Sequence, residues 1–287
     1  LETFLKEDEK ENKRKDDGTK KNNSRKRSKD EIKLNMTDGD SKAMTHKDGR
    51  ILPSYNHQSA VDGKYGISCS LKSRMSSDHP DDLFPLVDEA NKNTKNNFKN
   101  ILADCAFGNF DIFEEIDKKR DEDFYVPDAR FQMKKAGKLP KGEYNLDYFT
   151  RNANGEIICP EGYSMDYKGI QKKKGNYVYR YRGTHCDKCL NHDNCTKSKF
   201  RSLEIDIREE YQTKMREKLE SDKGREIYMK RQGIVEPVHG DDQKNRGWIQ
   251  HHLRGYFKAK AEFILVRIAS NLRKIAIYRS NEILAKT

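Results

Sequence analysis

A long polar stretch between two apolar regions is the feature that most constrains how this chain can fold. Residues 109 to about 205 contain Pro127, Pro140 and Pro160, many Gly and Asn residues, and only short strand-like runs. Four of the six cysteines of the chain also lie there. A segment this poor in apolar residues cannot bury a large core, so we interpret it as an insertion with a small organisation of its own.

The composition of the whole chain limits the core and suggests the partner. Only 33% of the 287 residues are hydrophobic and 37% are charged, which predicts a modest core. A length of this kind fits one domain with an insertion, or two small domains. The formal charge of +11 favours a polyanionic partner such as DNA, although many basic proteins bind no nucleic acid.

The sequence lacks the signals of membrane insertion and export. No stretch approaches 18 consecutive apolar residues, and residues 1–15 have no apolar segment of the kind a signal peptide needs. We therefore expect a cytoplasmic protein without a membrane partner. The chain begins with Leu1 rather than Met, which we interpret as the sign of a fragment of a longer protein.

The pattern of charge and apolar residues divides the chain into four segments. Residues 1–45 carry mixed charges, including basic clusters at 13–15 and 25–27, and favour a solvated linker or helix, with a nucleic-acid-binding tail as the alternative. Residues 46–108 form the N-terminal part of the expected core, 109–208 the cysteine-rich insertion, and 209–287 the C-terminal helices.

Local patterns predict several elements. Residues 60–71 indicate two short strands joined at the Asp62–Gly63 turn, and residues 80–90 a helix that begins near Asp81 and Asp82. In the last segment, apolar residues recur at helical spacing and predict that the final helix packs on the core through one stripe. The stripe consists of Phe257, Ala261, Ile264, Leu265, Ile268, Leu272 and Ile275.

Two acidic residues are candidates for chemistry. Asp104 interrupts a short apolar run, residues 101–107, which predicts a buried strand that presents a carboxylate at its C-terminal end. An aspartate at a strand end is also common as a turn or cap residue. Glu236 lies one helical turn after Gln232, near Arg231, an arrangement that suits metal and phosphate binding but also an ordinary surface ion pair.

Four cysteines are candidate metal ligands. Cys186 and Cys189 form a Cys-x-x-Cys pair, and Cys159 and Cys195 lie at loop-like distances from it. Four thiolates can bind one tetrahedral zinc ion and so stabilise a polar insertion. His185 or His192 could replace one sulfur, and four free thiols without metal are the alternative.

Taken together, four stretches resemble the transposase DDE domain of bacterial insertion sequences, in the branch with a cysteine-bearing insertion. They are 52–62 (LPSYNHQSAVD); 103–107 (ADCAF); 158–162 (ICPEG) with the three later cysteines; and 235–240 (VEPVHG) followed by 252–255 (HLRG) and 269–274 (ASNLRK). The resemblance covers roughly residues 36–278.

The resemblance implies an RNase H-like α/β fold, a mixed sheet flanked by helices, in which three acidic residues hold two divalent ions. It makes Asp104 and Glu236 two of those ligands, with Mg²⁺ or Mn²⁺ as the metal. Tyr228 and Arg231 match the signature around the glutamate and would position DNA phosphates. We expect further phosphate contacts from basic residues nearby, and a homo-oligomer on the DNA. These residues are Lys244, Arg246, Arg254 and Lys258.

The chain departs from the family pattern at the first catalytic aspartate. Residues 17–19 spell Asp-Gly-Thr but lack a preceding apolar strand, and Asp62 matches the hairpin instead. Gln243 and His239 stand where the family usually has a lysine and an aromatic. We therefore expect an incomplete or inactive transposase that binds DNA. The alternatives are a non-catalytic basic zinc and DNA-binding protein, and a structural RNase H-like module.

Overall fold

The computed structural model describes residues 35–46, 49–76, 80–138, 144–173 and 175–285. Most of the predicted charged segment, residues 1–34, lies outside the described residues. The described chain divides into two compact units: 35–129 together with 212–285, and 130–211. The sequence placed the start of the insertion at residue 109, whereas the second unit begins at Arg130.

The first unit begins with two antiparallel strand pairs. β1 (Lys42–Thr45) pairs with β2 (Ile51–Ser54), and β3 (Asn56–Val61) pairs with β4 (Ser68–Arg74). The second pair confirms the predicted hairpin. Its turn is built by Asp62, whose carboxylate accepts N–H bonds from Lys64 and Tyr65 at 3.1 and 2.6 Å.

The predicted helix after the hairpin is confirmed as α1 (Leu83–Thr94), which follows a 3₁₀ turn, Pro80–Asp82. It extends four residues beyond the predicted end at residue 90 and buries its apolar side. Asp82 stands at its N-cap without a side-chain capping bond; its carboxylate instead accepts bonds from Arg74 at 2.7 and 3.0 Å.

A parallel strand pair carries the first candidate carboxylate. β5 (Asn100–Leu102) pairs with β6 (Asp123–Tyr125), and α2 (Phe110–Lys119) lies between the two strands in the sequence. β5 was predicted to be buried, but Ile101 and Leu102 are only half-buried, and it is β6 that lies in the core. α2 and β6 were predicted to be part of the insertion, yet they fall in the first unit.

The second unit has a small core of its own. After α3 (Ala129–Lys135), which begins at the unit boundary, come β7 (Thr150–Arg151), β8 (Ile157–Ile158), β9 (Met165–Lys173), β10 (Asn176–Gly183), α4 (His192–Cys195) and β11 (Ser202–Asp206). The last three strands form an antiparallel sheet in the order β11-β10-β9. Buried residues from the four strands β8 to β11 pack into one cluster: Ile157, Met165, Tyr181, Leu203 and Ile205.

The end of the chain is helical, as predicted. α5 (Glu209–Glu220) and α6 (Asp222–Gly240) are followed by a π-helical turn, Asp241–Asn245, and by α7 (Tyr256–Leu284). Among the described strands, the expected single mixed sheet is replaced by five small sheets. This arrangement of helices and small sheets is consistent with an RNase H-like domain. No described helix is long and apolar enough to cross a membrane.

The prediction for the packing of α7 was wrong. The helix buries Ala259, Phe263, Arg267 and Ser270, whereas the predicted stripe is exposed, with Phe257 at 78% and Leu272 at 62%. Polar contacts determine the inward side: the Asn271 side-chain amide bonds both the N–H and the carbonyl of Ser68 at 2.9 Å. Arg267 contacts Asp242 in the interior.

Candidate functional site

Asp104 lies two residues after the end of β5, at the open end of the parallel strand pair. One carboxylate oxygen accepts the N–H of Cys105 at 2.6 Å and so caps the short 3₁₀ turn Cys105–Phe107. The side chain remains 52% exposed. Asp104 is therefore a cap residue, the alternative role considered from the sequence. The capping bond uses only one oxygen and leaves the carboxylate accessible.

Helix α6 lies against Asp104 through two side chains. Arg231 donates to the second carboxylate oxygen at 3.0 Å, and the Tyr228 hydroxyl donates to the carbonyl of Ala103 at 3.2 Å. Both residues were singled out from the sequence as phosphate-binding residues. In the absence of DNA, the guanidinium of Arg231 is instead the counter-ion of Asp104. The same carboxylate raises the pKa of the Cys105 thiol to about 11, together with burial, which is the larger cause.

Glu236 lies on the same helix, five residues after Arg231 and exposed. Its carboxylate accepts a bond from Gln232 at 3.3 Å, so the predicted shared face is confirmed. The helix continues through Pro237 and changes to π-helical pitch at Asp241. The convergence of Glu236 with Asp104 stays a prediction. Within the described ranges, no three His, Cys, Asp or Glu side chains are grouped so that they could hold a metal ion.

The loop that follows α6 is held by Glu262, a residue that the sequence analysis missed. Its carboxylate accepts the backbone N–H groups of His252 and Leu253 at 3.0 to 3.1 Å and the indole N–H of Trp248 at 3.0 Å. Burial alone would raise the pKa of Glu262, but the hydrogen bond with the His252 ring at 2.9 Å, and then these bonds, lower it to about 2. A useful sequence signal was present: Glu262 is the one acid in the first six turns of an otherwise basic and apolar helix.

Two histidines meet beside this loop. Nε2 of His57 lies 2.9 Å from Nε2 of His251, and Nδ1 of His57 lies 2.8 Å from the hydroxyl of Ser73. The His57 ring stacks on Phe263 with centroids 4.5 Å apart. Burial, and then the neighbouring His251, lower the pKa of His57 to about 4. The contact links β3 to the loop after α6, and the lowered pKa keeps the His57 ring uncharged at neutral pH.

The four basic residues predicted to bind DNA differ in exposure and in their ion pairs. Lys244, Arg254 and Lys258 are exposed. Arg246 instead donates to Asp241 at 2.9 Å. That bond and one from Asn245, which is the larger cause, lower the pKa of Asp241 to about 2. The exposed residues flank the anchored loop, so their backbone positions are fixed by Glu262 and by Asp38, which accepts the N–H of Gly255 at 3.1 Å.

The four predicted zinc ligands line one cavity of the second unit. Cys159 begins a tight turn, in which its carbonyl accepts the N–H of Gly162 at 2.9 Å. Cys186 and Cys189 share a 3₁₀ turn. Burial raises the pKa of Cys195, and the three other thiols raise it further.

The Cys186 sulfur is closely surrounded by backbone. The N–H of Arg201 donates to the sulfur at 3.4 Å. A Cβ on Gly183 would lie 2.4 Å from the same sulfur, so only glycine leaves room for it. Of the two histidines, His192 uses both ring nitrogens, toward Asp193 and the Ser198 carbonyl at 3.1 Å each.

Comparison with known families identifies the C-terminal half of this arrangement. Residues 158–276 match the family described as Transposase DDE domain. The match supports a DDE transposase, although it covers fewer than half of the 287 residues. Searches of curated proteins and of solved structures found no match.

The segment that matches the transposase DDE domain includes several of the candidate residues. All four cysteines, Glu236 and most of α7 lie within it, while Asp104 lies upstream of it. The structure connects the two parts, because Arg231 and Tyr228, inside the matched segment, bond Asp104 and Ala103, outside it.

Proposed function

We propose that this chain is an incomplete catalytic domain of a DNA transposase, the class of enzyme that cleaves and joins DNA strands with divalent metal ions. The main support for this proposal is the contact between α6 and the end of β5. Through Arg231 and Asp104, the helix that bears Glu236 is fixed next to an exposed carboxylate at a strand terminus. Strand termini and rigid helices suit this chemistry, because metal ligands must be held to within a fraction of an ångström.

Asp104 and Glu236 are the proposed metal ligands. Carboxylate oxygens are the donors that Mg²⁺ and Mn²⁺ prefer, and both side chains are exposed enough to reach a hydrated ion. A pair of such ions lowers the pKa of an attacking water or 3′ hydroxyl and stabilises the leaving oxygen. The donor chemistry of these two carboxylates fits the ions. We assign no third ligand among the described residues.

The residues of α6 and the following loop would hold the DNA. Arg231 can exchange Asp104 for a phosphate once a cation neutralises the carboxylate, because a guanidinium binds both anions with two parallel hydrogen bonds. Lys244, Arg254 and Lys258 supply exposed positive charge near this point. Such contacts bind the phosphate backbone of any sequence and weaken with salt.

We further propose that Cys159, Cys186, Cys189 and Cys195 bind a structural zinc ion, which would draw the four sulfurs closer together than the described structure places them. The lining of one cavity by all four thiols supports this, as does the N–H bond to the Cys186 sulfur. The engagement of both His192 nitrogens disfavours His192 as a ligand in place of one sulfur. Zinc analysis should find about one ion per chain, lost in Cys186→Ser. Cys69→Ser, outside the cluster, is the matched control and should keep the ion.

A non-catalytic zinc and DNA-binding protein is the second candidate, and the cysteine cluster favours it. Incubation of the chain with Mg²⁺ and DNA that carries the ends of its element separates the two. With two carboxylates assigned, we expect binding that weakens with salt and no cleavage. Metal-dependent nicking that Asp104→Ala abolishes would identify a complete site and reject the second candidate. Absence of binding at low salt would reject both.

A further inference from the structure

Arg201 lies among the four cysteines of the second unit without a carboxylate to balance its charge. It lines the same cavity as Cys159, Cys186, Cys189 and Cys195. The residue is half-buried, and among the described residues no carboxylate forms an ion pair with its guanidinium. A charge withdrawn from water is costly unless an opposite charge compensates it, so this position indicates an anion in the cavity.

The hydrogen bonds of Arg201 leave one of its donor nitrogens unused. The two terminal nitrogens of the guanidinium donate to the carbonyls of Cys195 and Tyr144, both at 3.1 Å. The backbone N–H donates to the Cys186 sulfur at 3.4 Å. The Nε atom is buried, yet it has no hydrogen-bond partner in the described part of the chain. An unpaired buried N–H of a charged group is costly, which indicates that Nε–H serves an acceptor such as a thiolate.

The contacts around Arg201 hold its charge at the wall of the cavity. The guanidinium carbon lies 5.6 Å from the centroid of the Phe149 ring, a cation–π contact. The backbone carbonyl of Arg201 accepts the N–H of Gly183 at 2.8 Å and so attaches the residue to the end of β10. An arginine near a protein surface usually extends its charged end into water. Here the charged end is instead kept beside the cysteines.

We infer that Arg201 is the counter-ion of the centre that the four cysteines form with zinc, and that its Nε–H donates to one of the thiolates. The inference rests on the proposed zinc site. A zinc ion bound by four thiolates carries a net negative charge, which one guanidinium partly compensates. Donors that surround metal ligands orient them and strengthen metal binding. Arg201 is thus a positioning residue, which acts on the ligands rather than on the metal.

A purely structural role for Arg201 is the competing interpretation. Its bonds to the carbonyls of Cys195 and Tyr144 also connect two loops of the second unit. Such a role requires hydrogen-bond donors but no charge, whereas a counter-ion requires the charge. The two interpretations therefore predict opposite results for a replacement that keeps the charge and one that keeps only neutral donors.

The test is the zinc affinity of the whole chain, measured by competition with a chromophoric chelator. Lysine keeps the charge but loses the planar pair of donors, and glutamine keeps amide donors without the charge. Arg201→Gln should weaken zinc binding about tenfold to hundredfold, the range typical of groups that hold metal ligands, and Arg201→Lys should recover most of the loss. Arg182→Gln is the matched control and should bind zinc like the parent. The guanidinium carbon of Arg182 lies 4.0 Å from the centroid of Phe200, and Arg182 is not among the described residues that line the cavity.

A second measurement verifies that the ligands are intact. Co²⁺ in place of zinc gives the absorption bands of a tetrahedral thiolate site, and Arg201→Gln should retain these bands at saturating Co²⁺. Equal zinc affinity in Arg201→Gln and the parent would overturn the inference, as would an Arg201→Lys variant that binds no better than Arg201→Gln. A parent chain that holds no zinc would reject the zinc site itself and the inference with it, so the two failures are distinguishable.

Discussion

The guanidinium of Arg231 lies 3.0 Å from a carboxylate oxygen of Asp104, although 127 residues separate the two in the sequence. The contact fixes α6 against the end of β5, with the Tyr228 hydroxyl as a second attachment. About one and a half turns later the same helix presents Glu236. Arg231 thus compensates the charge of a carboxylate that we assign to metal binding, and a cation at Asp104 must compete with it.

Replacement of Arg231 by Ala should therefore tighten the binding of Mg²⁺ or Mn²⁺. The pair is partly exposed, so the effect is modest, about fivefold in the dissociation constant. Isothermal titration without DNA measures it. Lys230→Ala, which removes a neighbouring cation that pairs with Glu226 instead, is the matched control. Unchanged or weaker metal binding in Arg231→Ala would show that the arginine does not compete.

Removal of one partner of the buried pair Arg267 and Asp242 should lower the free energy of unfolding more than replacement of both partners by apolar residues. Both side chains are at most 2% exposed, so Arg267→Met leaves an uncompensated carboxylate in the interior. We expect a loss of about 3 to 5 kcal/mol in the free energy of unfolding. The double variant with Asp242→Leu should recover most of it. Urea unfolding of the parent, the two single variants and the double variant measures these free energies. Arg273→Met, at the more exposed pair with Asp241, is the control and should cost less than about 1 kcal/mol.

Stability should decrease as the pH falls from 6.5 to about 4. The pKa of His57 is lowered from 6.5 to about 4, so in this window the unfolded chain binds the proton more readily than the folded one. The stability is fully present above pH 6.5 and is lost as the pH falls through the folded pKa. Glu262, with a pKa of about 2, adds a further loss below pH 4.5. Urea unfolding at several pH values should give a flatter dependence for His57→Gln; an equal slope would contradict this origin.

Two glycines near α6 should respond in opposite directions to alanine. A Cβ at Gly224 would lie 1.8 Å from the carbonyl oxygen of Lys218, so the tight connection from α5 would have to move. Gly233 has open space around it in the helix interior. Gly224→Ala should destabilise the fold by more than about 2 kcal/mol, and Gly233→Ala should stabilise it by about 0.5 to 1 kcal/mol. Thermal unfolding of the two variants would show shifts of opposite sign.

Much of the candidate site could be predicted from the sequence, because its signals are local. The apolar run before Asp104 predicted a strand end, and the helical spacing around Glu236 predicted a shared face with Gln232. Each depends on residues within a few positions of one another. Glu262 was missed although it is the one acid in the first six turns of α7, because the sequence does not show that Trp248, His252 and Leu253 turn their donors toward it.

The sequence by itself determined where helices and strands form and which residue types could bind metal or DNA. Only the tertiary structure decided which side of each element faces inward. The stripe on α7 is apolar by its sequence alone, yet Arg267 and Ser270 are the buried residues, because Asp242 contacts Arg267 and Ser68 bonds the neighbouring Asn271 on that side. Likewise the partner of Arg231 became known only when α6 met β5. Burial depends on the surfaces that distant segments bring together, and a periodic pattern contains no information about them.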